Sequence, residues 1–322
     1  MTVDRPHLPV SFFGMAVGTL AWGHAWRTAA QLWALPPWTA SLAVALGLLV
    51  WLGILGAYAN KWWQQARNAR LELDHPVQSA MAALGPVSTL LAAISLKPWL
   101  PELAWGLFVL GVSAQLALGL WLVGRFWQGA RPPESINASA YLPAVAQNFV
   151  AATASASFGY PALGALFFGA GVFSWLSVES LVLQRAATQA PLPVAQRPLQ
   201  GIQVAPAVVG GLSYLSLTAG PPDLMAQMLL GYGLYQTLLA ARQFAWSSQG
   251  GFAPTYWAYS FGVMALATMA MRILQRAPTE ALWQVLAPLL FVMANVVMAL
   301  LMWHTTQLAR QGRLLPPIVP AP

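Results

Sequence analysis

Apolar residues run along this chain in blocks of roughly 20, long enough at about 1.5 Å rise per residue to cross a hydrocarbon core of about 30 Å. Ten such blocks follow one another, over residues 10–32, 38–60, 79–96, 103–124, 141–158, 162–184, 200–218, 224–244, 255–273 and 281–304. Lipid offers no hydrogen bonds, so a segment crossing it must satisfy its own backbone, which a helix does. The pattern predicts an all-α integral membrane protein with ten transmembrane helices in five helical hairpins. The membrane domain covers residues 10–305, between an N-terminal tail over 1–9 and a C-terminal tail over 306–322. The first block exceeds a signal-peptide core, has no small-x-small exit and precedes nine more blocks, so it is expected to remain in the mature chain.

Helix breakers recur in register along the odd-numbered blocks. Gly14 stands in the first, with Gly18 one turn on, followed by Pro86 in the third, Pro143 in the fifth, Pro206 in the seventh and Gly262 in the ninth. From Gly14 onward the main breakers are separated by 72, 57, 63 and 56 residues, close to one helical hairpin each time. A repeat of two spans preserves orientation, so all five breakers enter from the same side of the membrane. Proline removes a backbone donor and bends the axis, which suits helices around a wet cavity better than helices facing lipid. The odd helices are thus candidates for a kinked inner ring, although Pro and Gly are also common in membrane helices generally.

Composition strengthens the membrane reading. Residues of the hydrophobic set make up 58% of the 322, and charged residues 7%, where soluble domains carry about 25% charge. With 16 Trp and 13 Phe the chain is no candidate for disorder. It has no cysteine, which removes disulfides, thiolate metal sites and cysteine nucleophiles. The 15 Lys and Arg residues divide unevenly between alternating loops: Arg27, Lys97, Arg272 and Arg276 fall on one side and the other eleven opposite. The positive-inside rule then puts both termini in the cytoplasm. Loops 97–102 and 219–223 on the outer side are short, so the functional site must lie within the bundle.

Candidate chemistry is sparse. Of the eight acidic residues, Asp4, Glu72, Asp74, Glu102, Glu134, Asp223 and Glu280 fall in loops or at span ends, leaving Glu179 alone inside a block. Glu179 reads as an ion pair with Arg185 near the interface or, more sharply, as a proton site. So few carboxylates argue against a cation channel or a metal importer, which need clusters of oxygen ligands. His24 and Arg27 stand near the outer end of the first block, either capping a neighbour or forming an electropositive mouth. His304 is interfacial, His7 and His75 belong to the tail and a loop, and no His pair suits a metal. Lys61 and Lys97 fall in loops, which excludes a Schiff-base pigment, and no Ser/His/Asp set supports an enzyme. Small polar residues gather on the odd blocks, Thr19, Ser88, Thr89, Asn148 and Ser260 among them, either as glue between helices or as the lining of a neutral pore. Phe261 beside Gly262 is either packing or a ring that blocks a narrow pore.

The segments FGMAVGTLAWGHAWR, HPVQSAMAALGPVSTLLA, YLPAVAQNFVAATA, LGALFFGAGVFSWLSVESLVLQ and YWAYSFGVMALATM, with the APA of QVAPAVV, resemble corresponding segments of the tellurite-resistance/dicarboxylate transporter family. That family includes the plant slow anion channels and fungal malate carriers. The resemblance runs in order from about residue 10 to about 305. It implies that the odd-numbered helices form a central pore, that subunits form a homotrimer with one pore each, and that the gating phenylalanine of the ninth helix is Phe261. Proline kinks carry over to Pro86, Pro143 and Pro206. Ala16 and Gly262 replace prolines found in some relatives, so the kinks of those two helices are left to glycine.

The expected function is an anion-selective channel or transporter of the cell inner membrane, occluded by Phe261, with small inorganic anions or dicarboxylates and membrane lipid as its partners. No cofactor, catalytic residue or nucleic-acid partner is expected. The alternative is a proton-coupled carrier of C4-dicarboxylates such as malate, or of tellurite-related compounds, with Glu179 as its protonatable group.

Overall fold

A computed structural model describes residues 8–129 and 132–315. Asp4, Arg5, His7, Arg131 and the outer parts of both tails lie outside the described residues. The chain is built from helices α1 (Phe13–Leu32), α2 (Pro37–Gln64), α3 (Ala66–Asp74), α4 (Gln78–Met81), α5 (Leu84–Leu96), α6 (Pro101–Trp127), α7 (Gln147–Ser157), α8 (Pro161–Thr188), α9 (Ala205–Leu217), α10 (Leu224–Arg242), α11 (Phe244–Ser247), α12 (Ala258–Arg276) and α13 (Ala281–Arg310). Among the described residues there is no strand. Six helical stretches of the described residues are long and apolar enough to cross a membrane: Pro37–Gln64, Gln78–Leu96, Pro101–Trp127, Pro161–Thr188, Pro254–Arg276 and Ala281–Arg310.

Local chemistry sets the helix starts. Pro37, Pro101 and Pro161 each open a long helix, where the missing N–H would have had no intrahelical partner and the fixed φ is already helical. Asp223 caps α10, its carboxylate accepting from the Ala226 N–H at 3.0 Å. The breaker-bearing segments start differently, each with a turn that is not regular α-helix. Val10–Phe12, Val194–Val204 and Pro254–Trp257 are tighter 3₁₀ turns, Leu142–Ala146 is a π turn, and α4 is separated from α5 by a break at residues 82–83. Pro86 is the third residue of α5, Pro206 the second of α9, and Pro143 lies within the π turn. The prolines therefore stand where one winding gives way to another, at positions whose donors are spare.

Packing divides the helices into two sets. In the inner set α1 packs on α5, α5 on α7, α7 on α9, α9 on α12, and α12 back on α1. Outside them α2 lies on α1, α6 on α5, α8 on α7, α10 on α9 and α13 on α12. Burial follows the same division: 78% of the apolar stretch of Pro254–Arg276 is buried, against 17% for Pro161–Thr188. Outer helices turn large apolar side chains outward, such as Leu49, Leu120, Leu166, Phe173, Leu238 and Leu289. Water would oppose so much exposed apolar area, and a lipid solvent removes the penalty.

Close helix approach depends on particular glycines. A Cβ on Gly47 would meet the Leu20 backbone at 3.0 Å, and one on Gly23 the Val44 Cα at 2.9 Å, so α1 and α2 interlock through both. Lys61, expected in a loop, belongs to the last turn of α2, because the helix continues past its apolar stretch to Gln64. Its ammonium pairs with Glu72 at 2.7 Å, both side chains being largely buried, and donates to the Leu8 carbonyl at 3.1 Å. The pair thus fastens the N-terminal approach to the ends of α2 and α3.

Candidate functional site

All five inner segments meet at one narrow cavity of about 60 Å³, room for roughly two water molecules at ~30 Å³ each. Gly14 reaches it from the first segment, Leu84 from the third, Leu142 from the fifth, Ile202 and Ala205 from the seventh and Phe261 from the ninth. Apart from the hydroxyls of Ser11 and Thr255, the wall is dominated by apolar side chains and, among the described residues, carries no ionisable group. A wall of this kind holds ions back by dewetting as well as by size.

The backbone around Phe261 is held tightly. Ser260, the preceding residue, donates to the Trp257 carbonyl at 2.6 Å, and Trp257 donates from its indole to Thr305 on α13 at 2.8 Å. Gly18 permits α1 to press against this turn, since a Cβ there would come within 2.6 Å of the Ser260 Cβ. On the other side a Cβ on Gly262 would come within 2.9 Å of the Val204 Cβ and 3.0 Å of the Ala205 nitrogen. α12 is continuous through Gly262, and α1 is continuous from Phe13 onward. The changes of winding expected at Gly14 and Gly262 lie upstream instead, in Val10–Phe12 and Pro254–Trp257. Gly18 and Gly262 thus serve close approach on either side of Phe261. Gly14 lines the cavity with open space around it, the nearest atom to an added Cβ being Leu84 Cδ1 at 3.8 Å.

The polar candidates turn mainly to their own helices. Thr19 donates to the Met15 carbonyl at 2.8 Å, Ser88 and Thr89 to the Gly85 carbonyl at 2.8 and 3.0 Å, and Asn148 to the Ala144 carbonyl at 2.7 Å. None of these, nor Ser260, lines the Phe261 cavity. Back-bonding of this kind satisfies a hydroxyl locally and suits the reading as helix glue.

Arginines and a histidine cluster at the far ends of α1 and α12. Arg27 donates to the carbonyls of Ser95, at 3.0 Å, and Ile94, while His24 bonds the Ser95 hydroxyl at 2.8 Å. Arg276 donates to the Leu215 carbonyl and to the Thr218 carbonyl at 2.7 Å, and Arg272 to the Ser216 hydroxyl at 3.3 Å. Arg27 and Arg276 thereby cap the C-terminal carbonyls of α5 and α9, where the helix dipole favours a cation. The carbonyl cap made by Arg276 and the bond of Arg272 to the Ser216 hydroxyl are not legible in the sequence, because the partners are 56–61 residues away.

Glu179 does not pair with Arg185. Six residues along a helix leave two side chains about 120° apart around the axis, and Glu179 turns to another set of partners. Tyr141 and Trp175 donate to its Oε2 at 2.8 Å each, and Tyr232 and Gln236 to its Oε1 at 2.7 and 3.3 Å. The carboxylate thereby joins α8 and α10 to the turn that leads into α7.

Long apolar helices wrapped round a narrow internal cavity define a multi-pass membrane protein of the channel or transporter class. The chain belongs to the SLAC1 family, described as voltage-dependent anion channels, whose profile matches residues 7–306. It is 32% identical over 320 residues to the tellurite resistance protein TehA homolog of Haemophilus influenzae, covering 97% of this chain and 94% of that protein. It is also 23% identical over 278 residues to the S-type anion channel SLAH3 of Arabidopsis thaliana, covering 82% of this chain and 42% of the plant protein.

Proposed function

We propose that this protein is an anion-selective pore of the cell inner membrane, with ten crossings in five hairpins, both termini in the cytoplasm and Phe261 as the occluding ring. The observation that carries the proposal is the apolar, carboxylate-free cavity to which all five inner segments contribute and into which Phe261 projects. Small inorganic anions pass along the axis of the inner ring, attracted by Arg27, Arg272 and Arg276 at its outer end and undisturbed by any described carboxylate at the constriction. Gly18, Pro86, Pro143, Pro206 and Gly262 let the inner segments come together there, and Gly14 lines the cavity. In keeping with the family resemblance, three subunits associate, each with its own pore.

The experiment is electrical recording of purified protein in a planar bilayer, wild type against Phe261→Ala, with chloride, nitrate and malate as charge carriers. A tenfold gain in flux needs only about 1.4 kcal/mol off the barrier. The proposal expects small currents in wild type and much larger ones in Phe261→Ala, reversing near the anion equilibrium potential. Equal currents in a folded variant would overturn the gate.

A second reading, a proton-coupled carrier, takes its dicarboxylates from the family resemblance and its tellurite-related compounds from the name of the Haemophilus relative. It needs a protonatable group in the path, and Glu179 is its candidate. Both oxygens of that carboxylate are engaged by donors from neighbouring elements, which supports a structural role and favours the channel.

A further inference from the structure

Away from the Phe261 cavity, a second cavity of about 360 Å³ opens between the C-terminal end of α8, the Val194–Val204 segment and α10. Arg185, in the last turn of α8, forms part of its wall and is 8% exposed. Among the described residues its guanidinium has no hydrogen-bond or ion-pair partner, and its Nε is buried without an acceptor. A buried, unpaired cation is costly, and a guanidinium placed this way is poised for an oxyanion brought from outside.

The surrounding wall is rich in amides. Gln200, Gln203 and Gln243 line the same cavity with side-chain amides that have no partner among the described residues. Among the described residues no carboxylate lines it. The wall is also braced: Arg197 donates to the Leu192 carbonyl at 3.1 Å and lies 4.4 Å over the Trp246 ring, and Leu192 and Trp246 both face the cavity. Glu179 reaches this region only through Gln236, whose amide nitrogen it already engages.

We propose that this cavity is a binding site for a phosphate group, held by a forked pair of hydrogen bonds from Arg185 and by the amides of Gln200, Gln203 and Gln243. A carboxylate offers two oxygens, which the guanidinium fork alone would use. A phosphate presents further terminal oxygens in a tetrahedral array, matching the additional donors on the other walls. The group belongs either to a soluble phosphate or to a phospholipid headgroup. The same Val194–Val204 segment turns Leu199 and Ile202 into the Phe261 cavity and Gln200 and Gln203 into this one, so an occupant here braces a wall of the other.

The test is thermal unfolding of the full-length protein in a neutral detergent, titrated with sodium phosphate against sodium chloride at matched ionic strength. Native mass spectrometry of protein extracted from phosphatidylcholine vesicles containing phosphatidylglycerol supplies the second arm. Wild type should be stabilised saturably by phosphate, with Arg185→Gln binding at least tenfold more weakly and Gln203→Leu several-fold more weakly. Without phosphate, Arg185→Gln should melt no lower than wild type, since it removes a buried unpaired charge. Retention of phosphatidylglycerol by wild type and its loss from Arg185→Gln, with no response to inorganic phosphate, would assign the site to a lipid headgroup. Equal behaviour of wild type and Arg185→Gln in both arms, or binding by neither, would overturn the proposal. If Arg185→Gln fails to fold, an unaltered response of Gln203→Leu in both arms overturns it equally.

Discussion

Replacing Glu179 by Gln separates the channel from the coupled carrier. The carboxylate accepts four hydrogen bonds, from Tyr141, Trp175, Tyr232 and Gln236, at 2.7 to 3.3 Å. An amide keeps one acceptor oxygen, turns the other position into a donor and loses the charge that strengthens each bond. Hydrogen bonds to a charged group contribute about 1.5–3 kcal/mol and neutral ones about 0.5–1.5, a loss of roughly 1 kcal/mol for each of four bonds. Glu179 is only half-buried, and halving the total for solvent leaves about 2 kcal/mol. For a chain of this size that lowers the melting temperature by roughly 3 °C. The assay is tryptophan-fluorescence melting of purified Glu179→Gln beside anion flux from proteoliposomes at acid and neutral pH. The structural role predicts the lower melting temperature with anion flux and its pH response preserved. Unchanged melting together with loss of pH-dependent malate uptake would refute this reasoning and make Glu179 the proton site of a carrier.

Three further predictions test the packing. Gly18→Ala should destabilise by about 1–3 kcal/mol through overpacking against Ser260, whereas Gly14→Ala, with 3.8 Å of clearance, should melt like wild type; similar melting of the two would contradict the close approach at Gly18. Glu72→Gln should cost about 3–5 kcal/mol by leaving the Lys61 ammonium buried without its anionic partner, and the double change Lys61→Met with Glu72→Leu should recover much of that loss in a denaturation series. The Tyr214 hydroxyl and the Ala226 N–H hold the Asp223 carboxyl below its usual range. This contribution is fully present above the ordinary carboxylate pKa and is lost as pH falls through the depressed folded value. Protection of the amides at the start of α10, relative to their intrinsic exchange rates, should therefore fall only at strongly acid pH, and protection already lost at neutral pH would contradict the cap.

Much of the architecture is written in short-range patterns. The prolines at 86, 143 and 206 recur in register because each marks the same event, a change of winding as an inner segment begins. Phe261 is singled out in the sequence by the aromatic cluster before it and by the family resemblance, and the close approaches at Ser260 and Gly262 on either side of it are visible only in the fold. What local pattern could not reveal was partnership across long separations. Glu179 draws donors from positions 141, 175, 232 and 236, and nothing in SVESLVLQ distinguishes that cluster from an ion pair with Arg185. Arg276 looked like one more outer-loop cation until the carbonyls of Leu215 and Thr218 came beside it. Hydroxyl-rich odd segments read equally as helix glue or as a polar lining, and the helix supplies many of those hydroxyls with a carbonyl one turn back.

The central claim is that one aromatic ring, at a cavity shared by five helical segments, is the barrier to anion flow. The most direct test records single-pore current through wild type, Phe261→Leu, Phe261→Val and Phe261→Ala under a chloride gradient, with melting temperature as the control for folding. Current should rise stepwise as the side chain shrinks, with the reversal potential staying near the chloride equilibrium value throughout. A flat series in folded protein, or a reversal potential that follows the cation, would contradict it.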